Sequence, residues 1–128
     1  MSEEAPRTIF DAVGEEGVAR LVAGFYARVP EDDVLSPMYP PDDMDGAERR
    51  LRDFLVYRFG GPQRYIEERG HPRLRVRHAP FAIDLTARDR WMQHMSAALD
   101  ECGFDPHVAD AIRAFLGDVA TFLINRPG

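Results

Sequence analysis

The sequence predicts an all-α fold of five or six helices, and three observations carry this prediction. Apolar residues recur every three to four positions through the longer segments. Capping residues before these segments, and glycine or proline after them, are typical of helix ends. The alternating stretch 73–77 resembles a strand, but it has no second strand to pair with, so we expect it to be irregular or briefly helical.

The first third of the chain predicts two helices and a turn region. Thr8 and Asp11 form a capping pair that opens a short helix, and Gly14 ends it. A second helix follows and stops at Pro30. Its apolar face consists of Val18, Leu21, Val22, Phe25 and Val29. Residues 31–41 contain three prolines and three acidic residues, so we expect turns there.

The middle of the chain predicts one long helix and one short helix. Asp42 or Asp43 caps a helix that runs to about Phe59, where two glycines and a proline end it. Its inward face consists of Ala47, Leu51, Phe54, Leu55 and Phe59. A short helix fits the residues before Gly70.

The last third predicts two more helices. Thr86 and Asp89 form a capping pair for the first, which Gly103 closes. Its apolar face consists of Trp91, Met95, Ala98, Leu99 and Cys102. Asp105 caps the final helix, with Pro106 in the first turn. The apolar stripe of that helix consists of Val108, Ile112, Phe115, Leu116, Val119, Phe122 and Leu123.

Composition and charge exclude several classes of protein. A chain of 128 residues, 45% of them hydrophobic, is expected to form one domain, 1–128, with its own core. The net charge of −6 disfavours a nucleic-acid binder. No apolar run reaches the ~18 residues of a membrane span, and the acidic start Met1–Glu4 is unlike a signal peptide. The single cysteine, Cys102, excludes an internal disulfide and a Cys-cluster zinc site, and it suits a cytoplasmic protein.

His78 is the candidate metal ligand. Any one of the four histidines is by default a surface or a satisfied core residue. His78 differs because it lies in a break between helices, before Pro80 and between the apolar Val76 and Phe81. No further ligand stands at a suitable spacing for a zinc site, whereas a haem iron needs one neutral imidazole from the protein.

Three aromatic residues with polar groups are candidates for a ligand pocket. Taken singly, Tyr26, Tyr39 and Trp91 are packing residues, although buried phenol and indole groups need hydrogen-bond partners. If the three converge, they form a set of donors without a base, which suits a ligand that gains negative charge. Ala47 and Leu51 would leave that cavity roomy and apolar. We find no catalytic triad and no glycine-rich phosphate loop.

Four motifs in order point to a known family. They are Phe25-Tyr26, Met38-Tyr39-Pro40, the stretch from Gly60-Gly61-Pro62 through His71-Pro72 to His78-Ala79-Pro80-Phe81, and Arg88-Asp89-Arg90-Trp91. With these motifs the chain resembles the group II truncated haemoglobins, a two-over-two helical globin family, along nearly its whole length. One departure is Arg58-Phe59, which stands where the family often has Tyr-Trp.

The resemblance implies a two-over-two helical sandwich that encloses haem b, with His78 as the ligand of the iron. It implies a distal pocket of Tyr26, Tyr39 and Trp91. Ala47 stands where many globins have a distal histidine, and Leu51 lines the same face. The remaining haem contacts that we expect are Phe54, Phe81, Arg75 and Arg77, of which the two arginines would pair with the propionates.

The function that the resemblance implies is reversible binding of O2, NO and CO in the cytoplasm. Two donors worth about 1 kcal/mol each, and more where charge is involved, would slow oxygen release roughly tenfold to a few hundredfold, which favours oxygen and NO redox chemistry or scavenging over bulk transport. An NO dioxygenase-like or a weak peroxidase-like activity, and a reductase partner, are compatible with it. The absence of a distal histidine disfavours strong peroxidase activity.

Two other interpretations remain open at this point. The first is a haem-free helical module whose arginine-rich segment, 69–77, docks an acidic partner. The second is a haem sensor or carrier, although sensors usually need an output domain for which this chain has no room.

Overall fold

The computed structural model describes residues 8–127, which form six α-helices and no strand. The acidic start Met1–Glu4, which we interpreted as unlike a signal peptide, lies outside these residues. The helices are α1 Ile9–Arg28, α2 Met44–Arg58, α3 Arg64–Arg69, α4 Leu74–His78, α5 Leu85–Cys102 and α6 Pro106–Phe122. Two short 3₁₀ helices, Val29–Glu31 and Ser36–Met38, lie in the predicted turn region.

Helix α1 contains the break that its glycine predicts. Thr8 Oγ1 accepts a 3.0 Å hydrogen bond from the Asp11 amide and caps the first turn. Gly14 then adopts φ 69° and ψ 176°, a conformation that interrupts the helix and strains any residue with a Cβ. The two predicted helices are therefore continuous in sequence and meet at a kink.

The long helices form two layers around the core. Helix α1 packs on both α2 and α5, and α5 packs on α6. The α1–α5 crossing is close because Gly24 lies there: a Cβ on this residue would lie 3.1 Å from the Cβ of Ala98. The predicted face of α1 is fully buried, and each large side chain such as Phe25 or Leu21 contributes about 1.5–3 kcal/mol by burial. The arrangement is the predicted two-over-two helical sandwich.

Two details of the last helices differ from the prediction. Asp84, not Thr86, caps α5: its carboxylate accepts a 2.9 Å hydrogen bond from the Ala87 amide, so the helix begins at Leu85. Phe122 is about half exposed, because it is the last residue of α6 and lies about 120° around the helix from the buried Leu116.

The alternating stretch 73–77 is helical, as its lack of a partner strand implies. Helix α4 spans Leu74–His78, and Arg73 before it has φ 46°, the one positive value at a non-glycine residue between positions 8 and 127. Over the same residues, no helix combines the length and the apolar composition that crossing a membrane requires.

Candidate functional site

A cavity of about 320 Å³ lies inside the sandwich, and all six helices contribute to its wall. Its volume is within the range of small-molecule sites. The wall is mainly apolar and aromatic, and among the described residues that form it there is no aspartate or glutamate. The cavity therefore suits a largely apolar ligand.

Nine of the ten residues predicted for the site line this cavity: Tyr26, Tyr39, Ala47, Leu51, Phe54, Arg77, His78, Phe81 and Trp91. Arg75 does not line it, which corrects the prediction that both arginines of α4 face the cofactor. Successive helical residues are rotated by about 100°, so Arg75 and Arg77 lie on nearly opposite sides of α4. The Arg75 guanidinium lies 4.2 Å from the centre of the Phe122 ring, and its Nε donates to Phe122 O at 3.2 Å.

The imidazole of His78 is oriented by its own helix. Its Nδ1 lies 2.7 Å from the Leu74 carbonyl oxygen one turn earlier. A carbonyl only accepts hydrogen bonds, so Nδ1 carries a proton, and in the neutral ring Nε2 is then the nitrogen with the free lone pair. This arrangement, in which one ring nitrogen donates to a carbonyl, is the one that metal-binding histidines usually have.

Three aromatic residues with polar groups surround the Phe25 ring at one side of the cavity. The Phe25 centroid lies 5.3 Å from that of Tyr26, 6.3 Å from that of Tyr39 and 5.5 Å from that of Trp91. The two tyrosine rings meet edge to face at 5.5 Å. Because Phe25 is fully buried, it is a rigid support on which the three polar aromatic residues converge.

Burial keeps both phenols protonated. It raises the pKa of Tyr39 to about 12, with a smaller opposing contribution from the nearby Trp91. It also raises the pKa of Tyr26 well above the ordinary value. At neutral pH these tyrosines are therefore neutral O–H donors, and the indole of Trp91 is a donor at every pH. This side of the cavity can donate hydrogen bonds but cannot take up a proton as a base.

Four arginines reach the cavity wall, and the sequence analysis identified one of them as a site residue. They are Arg50, Arg69, Arg77 and Arg88. Arg77 is held in place by backbone oxygens, since its Nε donates to Pro72 O at 2.8 Å and its terminal nitrogen to Arg69 O at 3.0 Å. Such guanidinium groups bind carboxylates or phosphates. Because the chain has no lysine, arginine stands at every strongly basic position, and residue type alone does not distinguish these four arginines from the others.

A buried carboxylate that the sequence analysis missed holds the loop that carries Tyr39. Asp32 accepts hydrogen bonds from the amides of Val34 and Leu35 at 2.8 and 2.9 Å, and its other oxygen lies 2.6 Å from His94 Nε2. Leu35 itself lines the cavity. An acidic residue before a turn is a signal for this type of amide capping.

The features of this cavity fit a haem group. Haem presents an apolar macrocycle, an iron that takes one neutral imidazole, and two carboxylates. The wall offers apolar side chains, the Nε2 of His78 and four guanidinium groups, of which those of Arg50 and Arg88 also pair with the carboxylates of Asp43 and Asp89. When bound, haem would be held by these three kinds of group.

Comparisons with known proteins agree with this fold. Residues 8–125 match the model of the bacterial-like globin family. The chain is 37% identical over 117 residues to group 2 truncated hemoglobin YjbI of Bacillus subtilis, which covers 91% of this chain and 88% of that protein.

Two solved structures are similar along nearly the whole chain. A thermostable hemoglobin from Thermobifida fusca is 46% identical with a TM-score of 0.89, covering 92% of this chain and 97% of that one. The group II truncated hemoglobin of Bacillus anthracis is 36% identical with a TM-score of 0.91, covering 98% and 96%. The chain therefore belongs to the bacterial-like globin family and, within it, to the group II truncated haemoglobins.

Proposed function

We propose that residues 1–128 act as one truncated-globin domain that would hold haem b through His78 and bind O2, NO or CO beside Tyr26, Tyr39 and Trp91. Family membership implies that the protein uses haem to bind small diatomic gases. The observation that supports His78 as the ligand is its 2.7 Å contact with Leu74 O, which leaves Nε2 free at the cavity wall. When bound, haem supplies an iron with an open position for a diatomic ligand.

In this proposal the polar aromatic residues discriminate between oxygen and CO. Trp91 donates through its indole N–H, and Tyr26 and Tyr39 donate through hydroxyls that burial keeps protonated. These donors would stabilise a diatomic ligand that gains negative charge when it is bound, as oxygen does, more than a ligand that stays nearly neutral, as CO does. Ala47 and Leu51 contribute space and no charge. The pocket would therefore slow the release of oxygen more than the release of CO.

Arg77 is the arginine that we propose for a propionate of the haem. Its two bonds to backbone oxygens fix the guanidinium at the cavity wall. Arg50, Arg69 and Arg88 also line the wall and are candidates for the second propionate. Phe54 and Phe81 would pack on the macrocycle.

Slow oxygen release favours redox chemistry of oxygen and NO, or scavenging, over bulk transport. An NO dioxygenase-like reaction fits this role, and it requires a reductase that returns the iron to the ferrous state. A peroxidase-like reaction would be weak, because the distal donors include no histidine to act as acid and base. A cytoplasmic setting is part of the same proposal, since the free Cys102 suits a reducing compartment.

Titration of the apo-protein with haem tests the proposal. We expect uptake of one haem per chain with a sharp Soret band, and distinct spectra after reduction and addition of O2 or CO. His71→Ala, a substitution of an exposed histidine outside the cavity, should leave this uptake unchanged. A protein that remains colourless and binds no haem would overturn the proposal and favour a haem-free helical module.

A further inference from the structure

The helix that carries His78 is short and has no buried residue. Helix α4 spans five residues, Leu74–His78, and the chain then turns through Ala79 to Ile83 before α5 begins. Burial of apolar surface is the main force that fixes most helices. Apart from the half-buried Leu74, which packs against the core, the position of α4 and with it the direction of the His78 ring depend on polar contacts between α4, the loop 79–83 and their neighbours.

Asn125 supplies such contacts from the far end of the chain. Its Nδ2 donates to Phe81 O at 2.9 Å and to His78 O at 3.4 Å, and its Oδ1 accepts from the Ile83 amide at 2.9 Å. The Asn125 amide also donates to Ile83 O at 2.9 Å. Because Ile83 N only donates and Phe81 O only accepts, the orientation of the carboxamide is determined. One side chain thus bridges the start and the end of the loop that follows His78.

The end of α6 holds the opposite side of α4. Arg75 Nε donates to Phe122 O, and its guanidinium lies over the half-exposed Phe122 ring. Phe122 and Asn125 are three residues apart. The segment 122–125 therefore contacts both the helix that carries His78 and the loop after it, and we call it the C-terminal clasp.

We propose that Asn125 is a positioning residue for His78: its carboxamide fixes the loop 79–83 and, through Phe81 O and His78 O, holds the imidazole in the direction that places Nε2 at the cavity. This inference rests on the proposed function, in which Nε2 binds the haem iron. Residues that orient a metal ligand without touching the metal typically change metal affinity 10–100-fold when replaced. Because Asn125 is exposed and acts through backbone atoms, we expect the lower end of that range.

Two substitutions of Asn125 remove its contacts in different ways. Asn125→Ala removes both the donor and the acceptor. Asn125→Asp keeps an oxygen for the Ile83 amide but places a carboxylate, without a donor, against Phe81 O and His78 O. Arg126→Ala is the matched control, since its backbone N–H, which donates to Ile83 O at 3.0 Å, is retained.

Three measurements test the clasp. The first is the rate of haem transfer to an excess of acceptor apo-globin, and the second is the iron–imidazole stretching band of the ferrous protein by resonance Raman. The third uses apo-protein: the Phe81 amide donates to His78 O at 3.0 Å and not to Asn125, so its hydrogen exchange reports the order of the loop.

We expect both Asn125 variants to lose haem about tenfold faster, with a shifted or broadened iron–imidazole band and faster Phe81 exchange, while Arg126→Ala matches the parent. Haem loss within twofold of the parent and an unchanged band would overturn the proposal, even if thermal stability falls. A parent protein that takes up no haem would instead reject the proposed function. In that case, unchanged Phe81 exchange in the Asn125 variants would reject the clasp separately.

Discussion

His94 Nε2 lies 2.6 Å from the carboxylate of Asp32, and this contact joins the loop that carries Tyr39 to the helix that carries Trp91. Arg90, next to Trp91, lies 3.4 Å from the same carboxylate. The side chain of Asp32 is almost completely buried. The segments that carry Tyr39 and Trp91 are therefore joined through one carboxylate that does not line the cavity.

The Asp32 carboxylate makes the free energy of unfolding depend on pH in the acidic range. Burial alone would raise its pKa, but hydrogen bonds from His94, from the Leu35 and Val34 amides and from Arg90 outweigh it and lower the pKa to about 2, below the ordinary 3.8. The unfolded chain therefore takes up this proton at higher pH than the folded protein. The contribution of Asp32 to the free energy of unfolding is complete above about pH 4 and is lost as pH falls towards 2.

We predict that Asp32→Asn lowers the free energy of unfolding by about 1.5–3 kcal/mol at pH 7, the usual value of a hydrogen bond to a charged group. The difference from the parent should shrink as pH falls from about 4 to 2. Urea unfolding across this range measures it. Asp33→Asn is the control, because this exposed carboxylate contacts Arg90 without being buried. A difference that is independent of pH would contradict the assignment.

Trp91→Phe tests the indole donor. The substitution keeps an aromatic ring against Phe25 and removes the N–H group. One hydrogen bond of about 1 kcal/mol corresponds to roughly a fivefold change in rate, so oxygen should dissociate at least several-fold faster. Stopped-flow release measures this directly, with CO release as an internal comparison that should change less. An unchanged rate of oxygen dissociation would indicate that Trp91 contributes by packing and not by hydrogen bonding to the ligand.

Tyr39→Phe tests the phenol donor in the same way. Oxygen release should again accelerate several-fold, and the CO stretching frequency should shift because the field at the ligand changes. Tyr57→Phe is a suitable control, since it removes a phenol that is not part of the cavity wall. Equal effects of the two substitutions would show that loss of a hydroxyl acts through general packing.

Arg77→Ala tests the proposed propionate contact. We expect haem loss to accelerate about tenfold, because a charge-assisted contact worth about 1.5 kcal/mol disappears. Arg49→Ala removes the same charge from an exposed position of α2 outside the cavity, and it should leave the rate unchanged. Equal acceleration in both variants would indicate a general charge effect.

Local patterns predicted most of the helices because their signals lie close together in sequence. Gly103 adopts the left-handed conformation that closes α5, and Asp105 accepts a hydrogen bond from the His107 amide as an N-cap. One cap was predicted wrongly: Thr86 has a capping side chain, but Asp84, two residues earlier, occupies the extended position that a cap requires.

The contacts that support the site were not predictable because they join distant residues. Asn125 and Ile83 are 42 positions apart, and Asp32 and His94 are 62 apart. Each of these polar residues is of a type that is common on surfaces, so nothing in the neighbouring sequence marks its partner. The direction of the Arg75 side chain likewise depends on where the five-residue helix α4 begins. The sequence predicts only that this stretch is irregular or briefly helical.

The iron–imidazole stretching band of the ferrous, ligand-free protein tests the central claim most directly. The account predicts that the parent shows this band, that His78→Gly loses it together with most haem retention, and that added imidazole restores both. His71→Ala should retain the band. A band that persists in His78→Gly without added imidazole would place the iron on another side chain and contradict the account.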